Sequence, residues 1–319
     1  MSNNFFKVIR PGINTTFQDR GRFHMQHFGV APGGCMDIEL FLIANALVGN
    51  PSNEGVLEFA YQGPLLKLVN GKTKISITGN VIFKIDKSNG EKINGECYRT
   101  YDLDEGDQID ILSTKQSAYG YMAIEGGFNI KPFFKSVSIL ERARIGPNKG
   151  EKIKASEKIS IKSDRKSKKN FIISFVKKDN NTIRVLKGSQ FNYFSEKSKE
   201  NFFSKNYKIS NLTDRMGMRL EGSIIKNIVN TNIRSEGITK GAIQVPADGQ
   251  PIILLTDYPT IGGYPKIANV ITADYDLLVQ KVPGTNISFK CIELEEAENL
   301  YKDKHNNISK IIKNIKEII

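Results

Sequence analysis

Short apolar segments bounded by turn residues constrain the fold of this chain more than any other feature. Phe5–Arg10 ends at Pro11-Gly12, and Val81–Ile85, Gln108–Leu112 and Tyr119–Ile124 are each bounded by Gly, Asp or Asn. Such segments are typical of β-strands, and many of them with few helices indicate barrels or sandwiches. The strand–helix alternation of a doubly wound nucleotide-binding sheet is missing. The sequence therefore predicts a mainly β protein with a few helices.

Two segments have helical spacing instead. Asp37–Val48 places apolar residues three and four positions apart, and Gly49-Asn50-Pro51 ends the pattern. Asp37 is suited to cap this helix, because its carboxylate can accept from the free N–H groups of the first turn. The tail Asn307–Ile319 carries isoleucines at helical spacing with lysines on the other face. This pattern predicts a C-terminal helix docked by its isoleucine stripe, with a membrane-surface helix as the alternative.

Asn70-Gly71-Lys72 separates two strand-like segments, Leu65–Val69 and Lys74–Thr78. Asn-Gly is a strong signal for a β-hairpin, so we predict that these segments pair. The same turn is similar to the end of a phosphate-binding loop, but Leu66 stands where that motif requires its first glycine. No Gly-x-Gly-x-x-Gly follows a strand, and no Gly-x-Ser-x-Gly occurs. An autonomous ATPase, a classical dehydrogenase and an α/β-hydrolase are therefore poorly supported.

The length of 319 residues predicts two domains, since a domain holds ~100–200 residues. Periodicity is lost over residues 162–170, where Ser and Lys dominate. We therefore predict an N-terminal domain over 1–165 and a C-terminal domain over 170–319, between which segments can exchange. No apolar run approaches the ~20 residues of a membrane helix, and the N-terminus carries no apolar signal segment.

The cysteines and histidines predict neither a disulfide framework nor a metal site. Cys35, Cys97 and Cys291 lie far apart and are odd in number. His24 and His27 form a His-x-x-His pair without a convincing third and fourth ligand nearby. A reducing cytoplasm is the compartment that this cysteine usage favours.

The net charge of +12 raises the question of nucleic-acid binding. The basic excess comes largely from scattered lysines, and no aromatic residues interleave with them to stack on bases. A compositional bias of the source genome explains the charge at least as well. We therefore expect no nucleic-acid partner.

Three polar, glycine-rich stretches are candidates for chemistry. The first, Gln18–Asp37, is either a ligand-binding loop or an ordinary capped loop leading into the helix. The second, Asp214–Gly222, is either a solvated strand or an arginine fork for a carboxylate, carbamoyl or phosphate group. The third, Ser235–Lys266, ends in a glycine turn that can aim Tyr264 and Lys266 into a cleft, where the lysine would hold an anion.

These stretches, in this order, resemble one family, that of the 5-oxoprolinase C subunit, also called the biotin-dependent carboxyltransferase-like or allophanate hydrolase subunit 2 family. The similarity runs from residue 5 to about residue 297. The segments that carry it are RPGINTTFQDRGR (Arg10–Arg22), QHFGVAPGGCMD (Gln26–Asp37), ANALVGNP (Ala44–Pro51), AIEGGF (Ala123–Phe128), DRMGMRLEG (Asp214–Gly222), SEGITKGAIQVPADGQPIILL (Ser235–Leu255) and GGYPKIA (Gly262–Ala268).

The resemblance implies two cyclophilin-like β-barrel domains and an ATP-dependent hydrolysis of 5-oxo-L-proline to L-glutamate. It also implies two partners. One is similar to the 5-oxoprolinase B subunit (allophanate hydrolase subunit 1-like), and the other is a third subunit of the same enzyme. This chain carries no nucleotide loop, so ATP would be handled in the assembled complex. No lysine lies in the Met-Lys-Met context of a biotin attachment module, so we expect no covalently attached biotin.

Residue type and motif position suggest roles within a cleft that stabilises developing negative charge. We expect catalytic roles for Asp214, Glu236 and Lys266, with either carboxylate as base or orienter and the lysine as a charge clamp. The residues expected to bind substrate are Gln18, Arg20, His27, Arg215, Arg219, Gln244 and Tyr264. The three N-terminal members of this set would close the cleft from the other domain.

Two other functions use the same fold. One is a biotin-dependent carboxyltransferase acting on urea or a related amide, with biotin carried on another protein. The other is a regulatory protein that binds an inhibitor of a histidine kinase. The resemblance favours the 5-oxoprolinase function over both.

Overall fold

The computed structural model describes residues 4–162, 166–177, 179–229 and 232–318. The chain divides into two units. The first contains the residues up to Arg22, Asp37–Val176, and the residues from Asn307 onward. The second contains Phe23–Met36 and Lys177–Asn306. Phe23–Met36 is therefore near the N-terminus in sequence but belongs to the second unit. The residues from Asn307 onward are at the C-terminus but belong to the first unit.

The first unit is built from strands of three to seven residues. In chain order they are β1 (Phe5–Arg10), β2 (Asn14–Gln18), β3 (Val56–Ala60), β4 (Leu65–Asn70), β5 (Thr73–Thr78), β6 (Val81–Asp86), β7 (Lys92–Asn94), β8 (Thr100–Leu103), β9 (Gln108–Thr114), β10 (Tyr119–Ile124), β11 (Lys158–Ser160) and β12 (Asn170–Ile172). One sheet has the order β11-β1-β4-β9-β6-β7, and a second has the order β2-β3-β10-β5-β8. Apolar side chains of both sheets form one core.

Helix α1 (Ile38–Leu47) covers the outer face of the five-stranded sheet. Asp37 caps it by accepting from Leu40 N at 3.1 Å, as predicted. Ser76 Oγ of β5 donates to the Ala44 carbonyl at 2.7 Å. With the core on one side and α1 on the other, every residue of β5 and β10 is buried. In β6, by contrast, buried and exposed residues alternate, as in a strand with one solvated face.

The predicted hairpin at Asn70-Gly71-Lys72 is wrong. Strand β4 pairs with β1 and β9, whereas β5 pairs with β10 and β8 in the other sheet. Gly71 has φ +94°, a conformation that favours glycine, and the turn carries the chain from one sheet to the other. The Asn-Gly signal locates the turn correctly but does not identify the partners of the strands on either side.

The second unit contains a closed seven-stranded barrel. The strands of this unit in chain order are β13 (Thr182–Lys187), β14 (Tyr207–Thr213), β15 (Gly217–Glu221), β16 (Glu236–Gly237), β17 (Ala242–Gln244), β18 (Ile252–Leu254), β19 (Ile261–Gly262), β20 (Lys266–Val270) and β21 (Asn286–Cys291). The barrel order is β13-β20-β17-β18-β15-β14-β21, and β16 pairs separately with β19. Strands β13 and β21 run parallel where the barrel closes. The expectation of a mainly β fold is confirmed.

Three helices accompany the barrel. They are α2 (Glu196–Ser204), α3 (Thr272–Val279) and α4 (Leu294–Lys313). On α2, Phe202 stacks on Phe289 of β21 at 4.5 Å between ring centroids. On α4, Ala297 joins an apolar cluster with Ile271 and Ile292. None of the helices in the described ranges is long and apolar enough to cross a membrane.

The C-terminal tail differs in part from its prediction. Helix α4 begins at Leu294, earlier than expected, and ends at Lys313. Lys316–Ile318 then forms a strand, β22, which pairs with β12 of the first unit. Ile311 and Ile315 pack against Ile43 and Leu47 of that unit. The isoleucine stripe therefore docks as predicted. Its helical spacing, however, continues into Lys316–Ile318, where the chain forms a strand instead of a helix.

Candidate functional site

A buried lysine at the start of β20 is the centre of the candidate site. The Lys266 side chain is 6% exposed, and its Nζ donates to Glu236 Oε1 of β16. The Glu236 side chain is 43% exposed. The carboxylate therefore lies on the solvent side of the ammonium group. Charged side chains are rarely buried without a partner, and here the partner is on the short strand pair β16–β19.

Gln190, which was not predicted from the sequence, binds both members of this ion pair. Its Nε2 donates to Glu236 Oε1 at 3.0 Å, and its Oε1 accepts from Lys266 N at 3.2 Å and from Ser189 Oγ at 2.9 Å. Gln190 is 8% exposed. Because two donors occupy Oε1, the Nε2 group is fixed toward the carboxylate.

Gly188 allows this loop to approach β20. A Cβ at position 188 would lie 2.2 Å from the Lys266 carbonyl oxygen, far inside any normal contact. The Gly188 N–H donates to the Ile267 carbonyl at 2.9 Å. A glycine just after a strand, followed by polar residues, was the signal that could have identified Gln190. It lies outside the three stretches selected from the sequence.

Gln244 and Tyr264 lie beside the pair. Gln244 is buried on β17, and its Nε2 donates to the Tyr264 carbonyl at 3.5 Å. A Cβ at Gly262 would lie 2.6 Å from Gln244 Nε2, so a larger residue there would have to displace this amide. The Tyr264 residue is 40% exposed. The third stretch thus places Glu236, Gln244, Tyr264 and Lys266 near one another, while their roles toward a substrate stay predictions.

The pKa of the Glu236 carboxyl lies below its usual range. The hydrogen bond from Lys266 is the largest cause, and the hydrogen bond from Gln190 is the next. The carboxyl is therefore ionised at neutral pH. A buried ammonium with an ionised carboxylate and an oriented amide can hold an anion or exchange a proton with a bound group.

Arg215 has a different environment from the one expected of a substrate clamp. Its Nε and Nη2 donate to Asp257 at 2.9 Å each, and Nη2 also donates to the Gly34 carbonyl at 2.6 Å. Arg215 and Asp257 are both largely buried. The guanidinium fork therefore joins the barrel to the segment Phe23–Met36 of the same unit. Asp257 was not among the residues selected from the sequence.

Asp214 and Arg219 are exposed on the β14–β15 hairpin. Asp214 Oδ1 accepts from Met216 N at 2.8 Å and from Gly217 N at 3.1 Å, which is the usual role of an aspartate in a turn. Among the described residues, neither side chain forms a hydrogen bond or an ion pair with Glu236 or Lys266. The structure therefore gives Asp214 a place in a turn and does not link it to the lysine site.

Two of the N-terminal candidates belong to the first unit. Gln18 ends β2, where its buried Nε2 donates to Thr16 Oγ1 at 3.0 Å and to the Ile139 carbonyl at 3.1 Å. Arg20 is exposed shortly after the same strand. Closure of a cleft by these residues stays a prediction.

The third N-terminal candidate, His27, belongs to the second unit. It is exposed on a 3-10 turn, with its ring 3.9 Å from that of Phe28. Among the described residues no group of three or more His, Cys, Asp or Glu side chains could hold a metal ion. Neither observation concerns a substrate, so a role for His27 in binding one stays a prediction as well.

Next to Gln18, a buried carboxylate organises the end of β2. Asp19 accepts hydrogen bonds from Ser136 Oγ at 2.7 Å, Ser138 Oγ at 2.6 Å, Val137 N at 2.7 Å and Gly21 N at 2.8 Å. It fixes the segment 136–138 against the turn after β2. The residue pattern did not reveal this role, because the partners in segment 136–138 lie more than a hundred positions from Asp19 in sequence.

Comparison with known proteins supports the resemblance drawn from the sequence. The family model of the carboxyltransferase domain, subdomains A and B, matches residues 28–291. The chain is 30% identical over 305 residues to the C subunit of 5-oxoprolinase from Escherichia coli (strain K12), covering 93% of this chain and 94% of that protein. The corresponding protein of Haemophilus influenzae is 30% identical over 293 residues, covering 92% of this chain and 93% of that protein.

Two solved structures are similar over most of the chain. The crystal structure of TTHA0988 has a TM-score of 0.80 at 28% identity and covers 91% of this chain. The Kluyveromyces lactis urea carboxylase has a TM-score of 0.87 at 25% identity and covers 98% of this chain. This chain spans 57% of the first of those chains and 29% of the second. The expected family and fold are confirmed.

Proposed function

Because the chain belongs to the carboxyltransferase domain family, subdomains A and B, we propose that it is the C subunit of an ATP-dependent 5-oxoprolinase. In this proposal it hydrolyses 5-oxo-L-proline to L-glutamate in the cytoplasm, together with a partner similar to the B subunit and with a third subunit. The similarity to the C subunit of the E. coli enzyme over 94% of that protein's length supports it. The chain would thus be a non-autonomous hydrolase subunit.

The observation that carries a catalytic role is the buried ammonium of Lys266, paired with Glu236, whose carboxylate also accepts from Gln190. 5-Oxoproline has a carboxylate and a very stable lactam. In the assembled complex ATP would phosphorylate the lactam oxygen with release of ADP. Water would then add to that carbon, the ring C–N bond would break as the nitrogen takes a proton, and a second water would release phosphate to leave L-glutamate. The transferred phosphoryl group and the substrate carboxylate are both anionic, and a buried cation stabilises negative charge more than it would in bulk water.

Other residues of the second unit have supporting roles in this proposal. Gln244 and Tyr264 would donate hydrogen bonds to the substrate beside Lys266. Arg215 would hold the segment Phe23–Met36, and with it His27, in place through Asp257 and Gly34. ATP would be bound in the assembled complex, and biotin would not be attached to this chain. The candidates that rest on motif position alone are Gln18, Arg20, Asp214 and Arg219.

The test is glutamate release from 5-oxo-L-proline and ATP. The chain would be assayed alone and then with its two partners. We expect activity only in the full mixture, and a loss of more than tenfold on Lys266→Met. Exchange of Lys208, an exposed lysine of the same barrel, for Met provides the matched control. Full activity of the Lys266→Met complex would contradict the catalytic role of this site.

A second function has support from the similarity to urea carboxylase. In that case the chain would transfer a carboxyl group from carboxybiotin on another protein to urea or a related amide. A reconstituted mixture that forms a stable complex but releases no glutamate from 5-oxo-L-proline would favour this alternative, or a purely regulatory binding role.

A further inference from the structure

Two donors of the second unit converge on a single carboxylate oxygen. Lys266 Nζ and Gln190 Nε2 both donate to Glu236 Oε1. One donor is an ammonium group with 6% of its side chain exposed, and the other is the amide of a residue that is 8% exposed. Charge-assisted hydrogen bonds of this kind are the strong ones in proteins, and together the two donors form a site for a carboxylate.

The Lys266 backbone and the Gln190 amide are held in place independently of Glu236. Lys266 begins β20, which pairs with β13 and β17 in the barrel. Gln190 is fixed through its Oε1 by the Lys266 backbone N–H and by Ser189 Oγ. Removal of the Glu236 carboxylate would therefore leave the amide donor and the buried base of the lysine side chain in position. A preorganised pair of donors binds a ligand with little further loss of entropy.

The carboxylate itself is carried by a short strand pair outside the barrel. Glu236 lies on the two-residue strand β16, which pairs with the equally short β19. Its side chain is 43% exposed, and a Cβ at the adjacent Gly237 would meet no atom within 4 Å. Glu236 can therefore leave the donors for solvent without opening the barrel core.

We propose that Lys266 and Gln190 form a carboxylate-binding site, that Glu236 occupies it in the free protein, and that a ligand carboxylate binds by displacing Glu236. The identity of the ligand rests on the proposed function, since the displacing carboxylate would be that of 5-oxo-L-proline. Glu236 then acts as an internal competitor that keeps the ammonium paired until the substrate arrives.

The test is a calorimetric or NMR titration of the full chain at constant ionic strength. The probes are 5-oxo-L-proline, acetate and 2-pyrrolidinone, which has the lactam ring but lacks the carboxylate. Glu236→Gln removes the charge of the competitor with little change in size. We expect it to lower the Kd of both carboxylates about tenfold, the difference between a charged and a neutral hydrogen-bonding partner. The Kd of 2-pyrrolidinone should not change.

Two further variants distinguish local displacement from a general effect of charge. Glu221→Gln removes an exposed carboxylate elsewhere in the same barrel and should leave every Kd unchanged. Gln190→Met, added to Glu236→Gln, should reverse a large part of the gain because it removes the second donor. Thermal unfolding of each variant shows whether the fold is retained. A Glu236→Gln chain that binds acetate more tightly but not 5-oxo-L-proline would support the carboxylate site and contradict the proposed substrate.

Three results would overturn the inference. One is a Kd for both carboxylates that is unchanged or raised in Glu236→Gln. Another is an equal gain for 2-pyrrolidinone. The third is no binding of either carboxylate by folded Glu236→Gln protein. Glutamate release by the wild-type complex, measured separately, would show that the proposed function holds even where this inference fails.

Discussion

Lys74 in the first unit and Lys266 in the second are both buried lysines near the start of a strand. Each pairs with a carboxylate and lies beside a side-chain amide. Lys74 Nζ donates to Asp102 Oδ1 and to Asn170 Oδ1, the latter at 2.8 Å. Lys266 Nζ donates to Glu236, while Gln190 donates to the same carboxylate. The two sites therefore contain the same kinds of group in different arrangements.

The two sites differ in the backbone that carries the carboxylate and in how the amide contacts the ion pair. Asp102 is directly opposite Lys74 in the register of β5 and β8, within a five-stranded sheet. Asn170 accepts from the ammonium and also donates to Asp102 Oδ2 at 3.4 Å, so its amide bridges the two charged groups. Gln190 donates to the carboxylate, but its oxygen accepts from the Lys266 backbone N–H and not from the ammonium, and a two-residue strand carries the carboxylate. The same kinds of group thus form a fixed ion pair in the first unit and, in our proposal, an exchangeable ion pair in the second.

The largest effect is expected on exchange of Arg215. This variant tests whether an ion pair on a well-anchored backbone stabilises the fold. Arg215 and Asp257 lie in the same unit as Lys266, but Asp257 N also donates to the Arg215 carbonyl at 2.9 Å. Arg215→Ala should lower the free energy of unfolding by about 3–5 kcal/mol, because the buried Asp257 carboxylate loses its guanidinium. Denaturant titration measures the change. A loss below about 1 kcal/mol in the free energy of unfolding would show that a buried ion pair on a hydrogen-bonded backbone need not stabilise the fold.

Lys74→Met and Lys266→Met compare the two lysines directly. Lys74→Met should lower the free energy of unfolding by about 2–3 kcal/mol, because Asp102 and Asn170 lose a buried partner within the sheet. Lys266→Met should cost less than about 1 kcal/mol, because the exposed Glu236 carboxylate becomes hydrated instead. Denaturant titration of both variants checks the contrast. Equal losses would show that the second pair is as structural as the first.

Gly188→Ala tests the loop that positions Gln190. The new Cβ would clash with the Lys266 carbonyl, so the loop must move, at a cost of about 1–3 kcal/mol in stability. We expect the substrate Kd to rise in the same variant. Gly237→Ala is the matched control, since open space surrounds that position. Similar behaviour of the two alanine variants would argue against a positioning role for this loop.

The smallest effect is the pH dependence of the Glu236 pair. The pKa of Glu236 is lowered in the folded protein, so its contribution to stability is present above the usual glutamate value of about 4.3. The contribution is lost as the pH falls through the lowered folded-state pKa. Because the side chain is nearly half exposed, it should be well under about 1 kcal/mol. Comparison of unfolding at pH 7 and pH 3 for wild type and Glu236→Gln measures it; identical pH profiles would contradict the pairing.

Local features of the fold could be predicted from the sequence. Helix α1 and its Asp37 cap follow from apolar spacing and an N-cap residue, and the mainly β composition follows from short segments between turns. The partners of β4 and β5 could not be predicted in this way, because Asn-Gly specifies a local turn while the core decides which sheet each strand joins. The strand β22 was missed for a related reason, since its isoleucine continues a helical spacing.

The site was predictable only where its residues lie in one stretch. Glu236, Gln244, Tyr264 and Lys266 share a segment rich in glycine, and that composition pointed to them. Residues such as Gln190 come from other parts of the chain, and their contacts depend on strand order in the barrel, which no local pattern encodes. The arginine fork expected to bind a ligand at position 215 pairs instead with Asp257, a partner that only the structure identifies.

The most direct test of the exchangeable pair is the carboxyl ¹³C chemical shift of Glu236, assigned with Glu236→Gln and followed during titration with 5-oxo-L-proline. We expect this signal to move toward the value of a hydrated carboxylate as ligand is added, while the Asp102 signal stays in place and 2-pyrrolidinone moves neither. A Glu236 signal that does not move while 5-oxo-L-proline binds would contradict displacement.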